Sequence, residues 1–379
     1  MQQPGKRINH QIERILKSPD LLNRLVAEVQ KNVAGETNTI KTIHVCAHGR
    51  LVKNRAATSC NLGIHSKSGA GKDWTMRQTL SILPGGQVIK RSRVSPKALT
   101  YMKPVRTWNG HILYLEDISN SVLNDEVMKL LASGGNGTST IVVKGKALDI
   151  TIKGSPIIFF TSATANLSQD NLRRFTLIRC DESKQQTRRI IGMAARKACH
   201  GMESSQPDEN IRKALALLKP VEVRVPYAGR LQRLITDNLI ARTVFGRFLD
   251  YIKASAALHQ FQRESVKAGV ILATPQDYDI ARKVFLKTKN GRELIPTSNV
   301  DEALFSVLAK SKEGLTTKEI ETHVPYEYHN VLQHLNKLFD AGLIEKHSVE
   351  THKRGRPHAL WIIKVSTKFV LPTSKELGI

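Results

Sequence analysis

SKSGAGKD, residues 66–73, decides the fold. A phosphate-binding loop is written G-x-x-x-x-G-K-[ST], a glycine-rich turn whose backbone N–H groups face phosphate oxygens while the lysine neutralises the outer phosphates. Gly69, Gly71 and Lys72 keep those elements, whereas Ser66 stands at the first glycine and Asp73 at the hydroxyl residue. Serine is a mild change if the backbone there needs no positive φ. Asp73 is the larger departure: a carboxylate reaches magnesium as a hydroxyl does, but it repels phosphate unless the ion lies between them. By pattern alone, SGAGK reads equally well as an ordinary glycine turn between strand and helix. The apolar run CNLGIH (60–65) before it and helix-forming residues after it give the order strand, loop, helix. The expected nucleotide contacts are Ser68, Gly69, Ala70, Gly71, Lys72, Asp73 and Trp74.

Downstream segments strengthen the nucleotide reading. ILYLED (112–117) is an apolar strand ending in adjacent acids. Of such a pair, one carboxylate holds magnesium and the next activates the attacking water. Glu116, with Asp73, is the expected magnesium ligand and Asp117 the residue that orients water; the usual Asp-Glu order is reversed. The next apolar run, IIFFTSAT (157–164), ends in Thr161, Ser162 and Thr164, and Thr164 is the expected bridge between water and γ-phosphate. DNLRRFTLIR then places Arg173 and Arg174 before another apolar strand. An arginine presented there to a neighbouring subunit supplies transition-state charge stabilisation.

Composition narrows the partners. Lysine and arginine number 58 against 33 acidic residues, a formal charge of +25, which favours a polyanion through counterion release. Four scattered cysteines form neither a zinc ribbon nor a disulfide framework. No apolar stretch reaches the ~18 residues of a membrane span, and the first residues lack a secretory pattern; the expected location is the cytoplasm. His259, His329 and His334 lack the spacing of metal ligands.

The chain is expected to divide into an N-terminal helical segment (1–52), an α/β core (53–183), a helical region without strands (184–297) and a C-terminal module (298–379). TSTIVVKG and LDITIKG (138–154) form a hairpin with a basic tip at Lys144 and Lys146, suited to gripping phosphates. In the C-terminal module, Thr316 and Glu319 have capping-box spacing, a second helix follows, and IEKHSVE and HALWIIK flank a basic wing. That is the pattern of a winged helix-turn-helix. The wing tip KRGRP puts Lys353, Arg354 and Arg356 where they can touch DNA phosphates or a narrow minor groove.

SGAGK, ILYLED, the hairpin, FFTSATAN, LRRFTLI, a helical region and a winged helix occur in an order that resembles AAA+ ATPases. The order looks like that of minichromosome-maintenance helicases and the related helicases of phages and mobile elements, over about residues 15–365. The resemblance implies an α/β P-loop AAA+ core with a pre-sensor-1 β-hairpin, an α-helical lid and a C-terminal winged-helix domain. It implies ATP and Mg2+ as cofactors, DNA as partner and a homo-hexameric ring. By position it makes Lys72 the Walker A lysine, Glu116 and Asp117 the Walker B pair, Thr164 sensor 1, Arg174 the trans arginine finger and Arg242 the sensor 2 arginine. Arg173, Arg188 and Arg247 are further arginine candidates. Lys144 becomes the channel residue. The expected function is an ATP-dependent DNA helicase or translocase acting in replication of a mobile element or virus. Two alternatives stay open: an AAA+ ATP switch that initiates, loads or regulates transposition without unwinding, and a non-enzymatic winged-helix DNA-binding protein.

Overall fold

Three helices precede the loop in the computed structural model, which describes residues 9–95, 98–99, 107–134, 137–143, 146–163, 173–201, 205–232, 239–288, 299–308, 310–311, 313–340, 344–349, 358–363 and 373–379. They are α1 (His10–Leu16), α2 (Leu21–Gln30) and α3 (Thr37–His48). The Asn9 side chain caps α1 by accepting from the Gln11 N–H at 2.9 Å, and Ser18-Pro19-Asp20 separates α1 from α2 as proline chemistry requires.

The central sheet is built from β1 (Leu62–His65), β2 (Val88–Arg91), β3 (Ile112–Leu115), β6 (Ile157–Ser162) and β7 (Thr176–Ile178), in the order β2-β3-β6-β1-β7. All four neighbouring pairs are parallel. Helix α4 (Lys72–Ser81) follows β1 directly. Between β3 and β6 the chain makes the short helices Asn120–Leu123 and Glu126–Ala132 and then an antiparallel hairpin, β4 (Gly137–Val143) with β5 (Lys146–Ile152), which is a sheet of its own. Every residue of β3 and β6 is buried, because a parallel sheet is covered on both faces and its central strands read as continuous apolar runs. One side packs Leu113, Leu115, Ile158 and Phe160 against Trp108, Val122, Met128, Leu131 and Phe175.

Gly63 lets β1 lie against this core. A Cβ there would fall 2.7 Å from two ring carbons of Phe160, whose ring meets Phe175 edge-on at 5.2 Å. Gly63→Ala is expected to lower stability by about 1–3 kcal/mol, the usual cost of overpacking a core, read as a lower urea midpoint at unchanged slope.

Two features depart from the sequence expectation. β2 carries no apolar run: Val-Ile-Lys-Arg is an edge strand with its last two residues exposed, so it gives little periodic signal. The region 184–297, expected to be free of strands, contains β8 (Glu222–Arg224), β9 (Ser265–Lys267) and β10 (Val270–Leu272) in a sheet ordered β8-β10-β9. Three residues are too few to establish an alternation, and Gly269, at φ 75°, makes the turn between β9 and β10. Helices Lys184–His200, Glu209–Ala216 and Pro275–Phe285 occupy the same region. The last begins with a Thr274–Asp277 capping box and Pro275 in its first turn.

The chain forms two compact units, residues 1–226 with 246–288, and residues 227–245 with 289–379. Within the second, helices Asn299–Leu308, Thr317–Glu321 and Tyr328–Asp340 pack on β11 (Leu315–Thr316), β12 (Ile344–Val349) and β13 (His358–Ile363), an antiparallel sheet ordered β11-β13-β12. Its core is Leu304, Leu308, Ile320, Val331, Leu335, Leu338 and Trp361. The Trp361 indole donates to Thr317 Oγ1 at 2.9 Å, and the Thr316–Glu319 capping box is formed in both directions. Among the described residues no helix is long and apolar enough to cross a membrane.

Candidate nucleotide site

The loop Ser66–Gly71 leaves the C-terminal end of β1, where ligands of open parallel sheets bind. Gly69 and Gly71 take φ of 83° and 79°, and Gly71 is the left-handed residue that hands the chain to α4. Ser66 is not among the residues with positive φ, so the missing first glycine costs no backbone strain. Its buried hydroxyl accepts the Cys180 N–H at 2.8 Å and anchors the loop to the segment after β7. The Lys67 N–H donates to Glu182 at 3.2 Å. Residues 67–69 and Gly71 are exposed, leaving the crest of the loop open to a ligand.

Lys72 is buried, with Nζ 3.4 Å from Asp73 Oδ2 and 3.8 Å from Asp117 Oδ1. Asp117 follows β3 in a left-handed conformation, φ 46°, which a non-glycine residue adopts only when its surroundings hold it there. Its N–H donates to Thr161 Oγ1 at 2.9 Å, and Thr161 in turn donates to Asp73 Oδ1. Loop, β3 and β6 thus meet at one point, with a lysine between two carboxylates.

Glu116 is engaged elsewhere. Its carboxylate lies 2.7 Å from Lys90 Nζ and 3.1 Å from Arg77 Nε and accepts from Ser92 Oγ at 3.0 Å. Of the two adjacent acids, the second is the one that reaches the lysine. Trp74 donates its indole N–H to the Asn32 carbonyl at 3.0 Å, and the Arg77 guanidinium lies 5.8 Å from its ring centroid. Arg77, Lys90 and Ser92 carried no signal in the sequence, since each sits outside any motif and acts only through the fold.

Arg174 lies at the other end of the sheet. β7 pairs with β1 in parallel with Thr176 opposite Leu62, the first residue of β1, so Arg174 precedes the strand at the edge remote from the loop of its own chain. Arg174 Nε donates to Ser133 Oγ at 2.8 Å. The buried Asn61 side chain donates to the carbonyls of Ala132 (3.0 Å) and Arg174 (3.2 Å) and accepts the Ile158 N–H (2.9 Å), fixing this corner. Arg247 is buried and donates to the carbonyls of Arg173 and Phe175, so its role is to hold that turn. Arg173 and Arg188 are exposed, as is Arg242 on the helix Leu239–Leu258, in the stretch belonging to the second unit. Lys146 is exposed at the start of β5. Thr164, Lys144, Lys353, Arg354 and Arg356 lie outside the described residues.

No group of three or more His, Cys, Asp or Glu residues among the described ones could hold a metal ion. Two carboxylates beside a phosphate loop nevertheless fit magnesium, which is bound through one or two carboxylates together with substrate phosphates. The histidines take other parts. His334 pairs with the buried Asp301 at 2.7 Å. His44, His48 and His259 are fully buried, and four of their ring nitrogens have no hydrogen-bond partner.

Burial, reinforced by the Arg50 charge, depresses His44 to about 3 and holds His48 well below the usual value. Burial also lowers His259, against Asp277 at 3.9 Å, whose charge is already met by Arg263 at 2.6 Å. His44 is neutral when folded and takes up a proton when unfolded, so it costs no stability above pH 6.5 and destabilises increasingly as pH drops from 6.5 towards about 3, with His48 and His259 acting in the same direction. At pH 5 the loss is expected to be about 2 kcal/mol for His44, measured as a drop in urea midpoint that His44→Gln reduces.

The family described as MTBMA_p00010 P-loop domain matches residues 7–220 of the chain. No curated protein matches it.

Proposed function

Because the chain belongs to the MTBMA_p00010 P-loop domain family, a nucleotide-binding class, we propose that it is an AAA+-type ATPase. In this reading it assembles as a ring, a hexamer, and drives itself along DNA to unwind it during replication of a mobile element or virus. The observation that carries this reading is the separation of functional groups along one strand pair. Lys72, Asp73 and Asp117 gather at the C-terminal end of β1, while Arg174 lies two residues before Thr176, the partner of the first residue of β1. An arginine so placed is out of reach of its own loop and available to the loop of a neighbour, as a head-to-tail ring requires.

Within the site, the N–H groups of Ser68–Gly71 and the first turn of α4 face the phosphates, and Lys72 neutralises the outer ones. Asp73 and Asp117, the carboxylates nearest Lys72, are the residues that would hold magnesium, which when bound offsets charge on the β- and γ-phosphates. Glu116 is less suited to that task than sequence order suggests, because Lys90 and Arg77 already occupy it. Thr164, on the segment after β6, keeps its proposed place as the polar contact to the γ-phosphate, and Arg242 as the second sensor. The hairpin β4–β5, with Lys144 and Lys146, grips the DNA backbone without reading sequence. The second unit supports a winged-helix reading. Its helix Tyr328–Asp340 exposes Tyr328, His329, Asn330, Gln333, Asn336 and Lys337, side chains able to bond phosphates and base edges. Lys353, Arg354 and Arg356 belong to its wing.

The expected result is ATP hydrolysis that rises on adding DNA, together with strand separation of a forked duplex. Hydrolysis without unwinding would favour a switch that loads or remodels DNA, a reading supported by Lys90 and Arg77, which pair with Glu116 and leave only one of the two adjacent acids near Lys72. DNA binding without hydrolysis would leave only the binding module.

A further inference from the structure

In P-loop sites the metal is held by a hydroxyl from the loop and a carboxylate from a strand. Here Asp117, after β3, supplies the strand carboxylate, but the loop supplies a second carboxylate where the hydroxyl is usual. The loop contributes a carboxylate, Asp73, and the strand β6 contributes a hydroxyl, Thr161, which donates to Asp73 Oδ1. Thr161 is fully buried, and the same oxygen accepts the Asp117 N–H at 2.9 Å. One hydroxyl therefore fixes both carboxylate residues. It holds Asp73 so that Oδ2, 3.4 Å from Lys72 Nζ, is left facing the lysine, and it stabilises the left-handed turn that brings Asp117 Oδ1 to 3.8 Å from the same Nζ.

We propose that Thr161 is the positioning residue of the metal half of this site, its one hydroxyl orienting both the loop carboxylate of Asp73 and the turn that carries Asp117. The proposal rests on the triphosphate reading given above. The neighbouring threonine of the motif, Thr164, plays no part in it. Thr161 acts through the two aspartates. Loss of a group that orients a metal-binding carboxylate typically lowers metal affinity by about 10–100-fold.

The test is the affinity of the full chain for Mn2+ in the presence of saturating non-hydrolysable ATP analogue, read from the paramagnetic resonance signal of the free ion. A fluorescent ATP analogue titrated with and without metal runs alongside. Thr161→Val is expected to weaken Mn2+ binding by about 10–100-fold, and Thr161→Ser to retain it within about threefold of the parent, because serine keeps the donor and the acceptor. Asp73→Thr alone, which removes the loop carboxylate, and Thr161→Asp alone, which sets two carboxylates against each other, are both expected to bind weakly. The double variant Asp73→Thr/Thr161→Asp keeps one hydroxyl and one carboxylate in contact and is expected to bind more tightly than either single variant.

Thr161→Val binding as tightly as the parent, Thr161→Ser binding as weakly as Thr161→Val, or a double variant no better than its singles would each overturn the proposal. Should Thr161→Val fail to fold, the comparison of swap and single variants decides. A parent chain that binds the fluorescent analogue equally well with and without metal overturns this proposal and leaves the nucleotide site standing. A parent that does not bind the analogue at all overturns both.

Discussion

Arg174→Ala is expected to reduce ATP turnover by about 10³-fold or more while leaving the affinity for a non-hydrolysable ATP analogue within a few-fold of the parent. The magnitude is that of an arginine supplied across an interface to a transferring phosphoryl group. The selectivity follows from position: Arg174 comes two residues before β7, whose first residue pairs with the first residue of β1, at the end of the sheet remote from the loop Ser66–Gly71. Its local role is modest by comparison. The corner it occupies is held by Asn61, which bonds the Arg174 carbonyl rather than its side chain, and by Arg247, which bonds the carbonyls of Arg173 and Phe175. Truncating the Arg174 side chain removes its bond to Ser133 Oγ but leaves those backbone anchors in place, so the variant should fold. An equal loss of binding and turnover, measured by analogue titration and steady-state phosphate release, would remove the finger role.

Lys72→Ala is expected to act differently, weakening nucleotide binding as well as lowering turnover by at least about 10²–10³-fold, the cost of deleting one preorganised group that stabilises developing charge. Lys72 is buried between Asp73 and Asp117. Without it, two carboxylates face the phosphates with no fixed cation of the protein between them, and the repulsion that Asp73 introduces into this loop is no longer offset. The dependence on divalent cation should therefore become steeper in this variant. Analogue affinity unchanged at every magnesium concentration would contradict the assignment of Lys72 as the phosphate-facing cation.

The contrast between motifs and their partners explains what the sequence could convey. β1, β3 and β6 were legible because strands buried on both faces are written as continuous apolar runs, LGI, ILYL and IIFF. The loop was legible because Gly69 and Gly71 are required by their positive φ, and the Thr316 capping box because its spacing is local. β2 and the β8-β10-β9 sheet carry little sequence signal, being short or at an edge, where tertiary pairing and not periodicity creates the strand. At the site, the sequence could place acids beside a lysine but not say which acid reaches it. That depends on the left-handed turn at Asp117 and on Lys90 and Arg77 drawing Glu116 away. Asn61 and Thr161 were invisible as organisers for the same reason: their partners lie 71–113 and 44–88 positions away along the chain.

The central claim is that one working site takes Lys72 from one copy of the chain and Arg174 from another. Mixing equal amounts of Lys72→Ala and Arg174→Ala proteins, each inactive alone, and measuring DNA-stimulated ATP hydrolysis tests it most directly. With random exchange of subunits, about one quarter of the interfaces should pair an intact Lys72 with an intact Arg174, and turnover should reappear at a corresponding fraction of the parent rate. A mixture that stays as inactive as its components, although the two proteins co-assemble, would contradict the shared site.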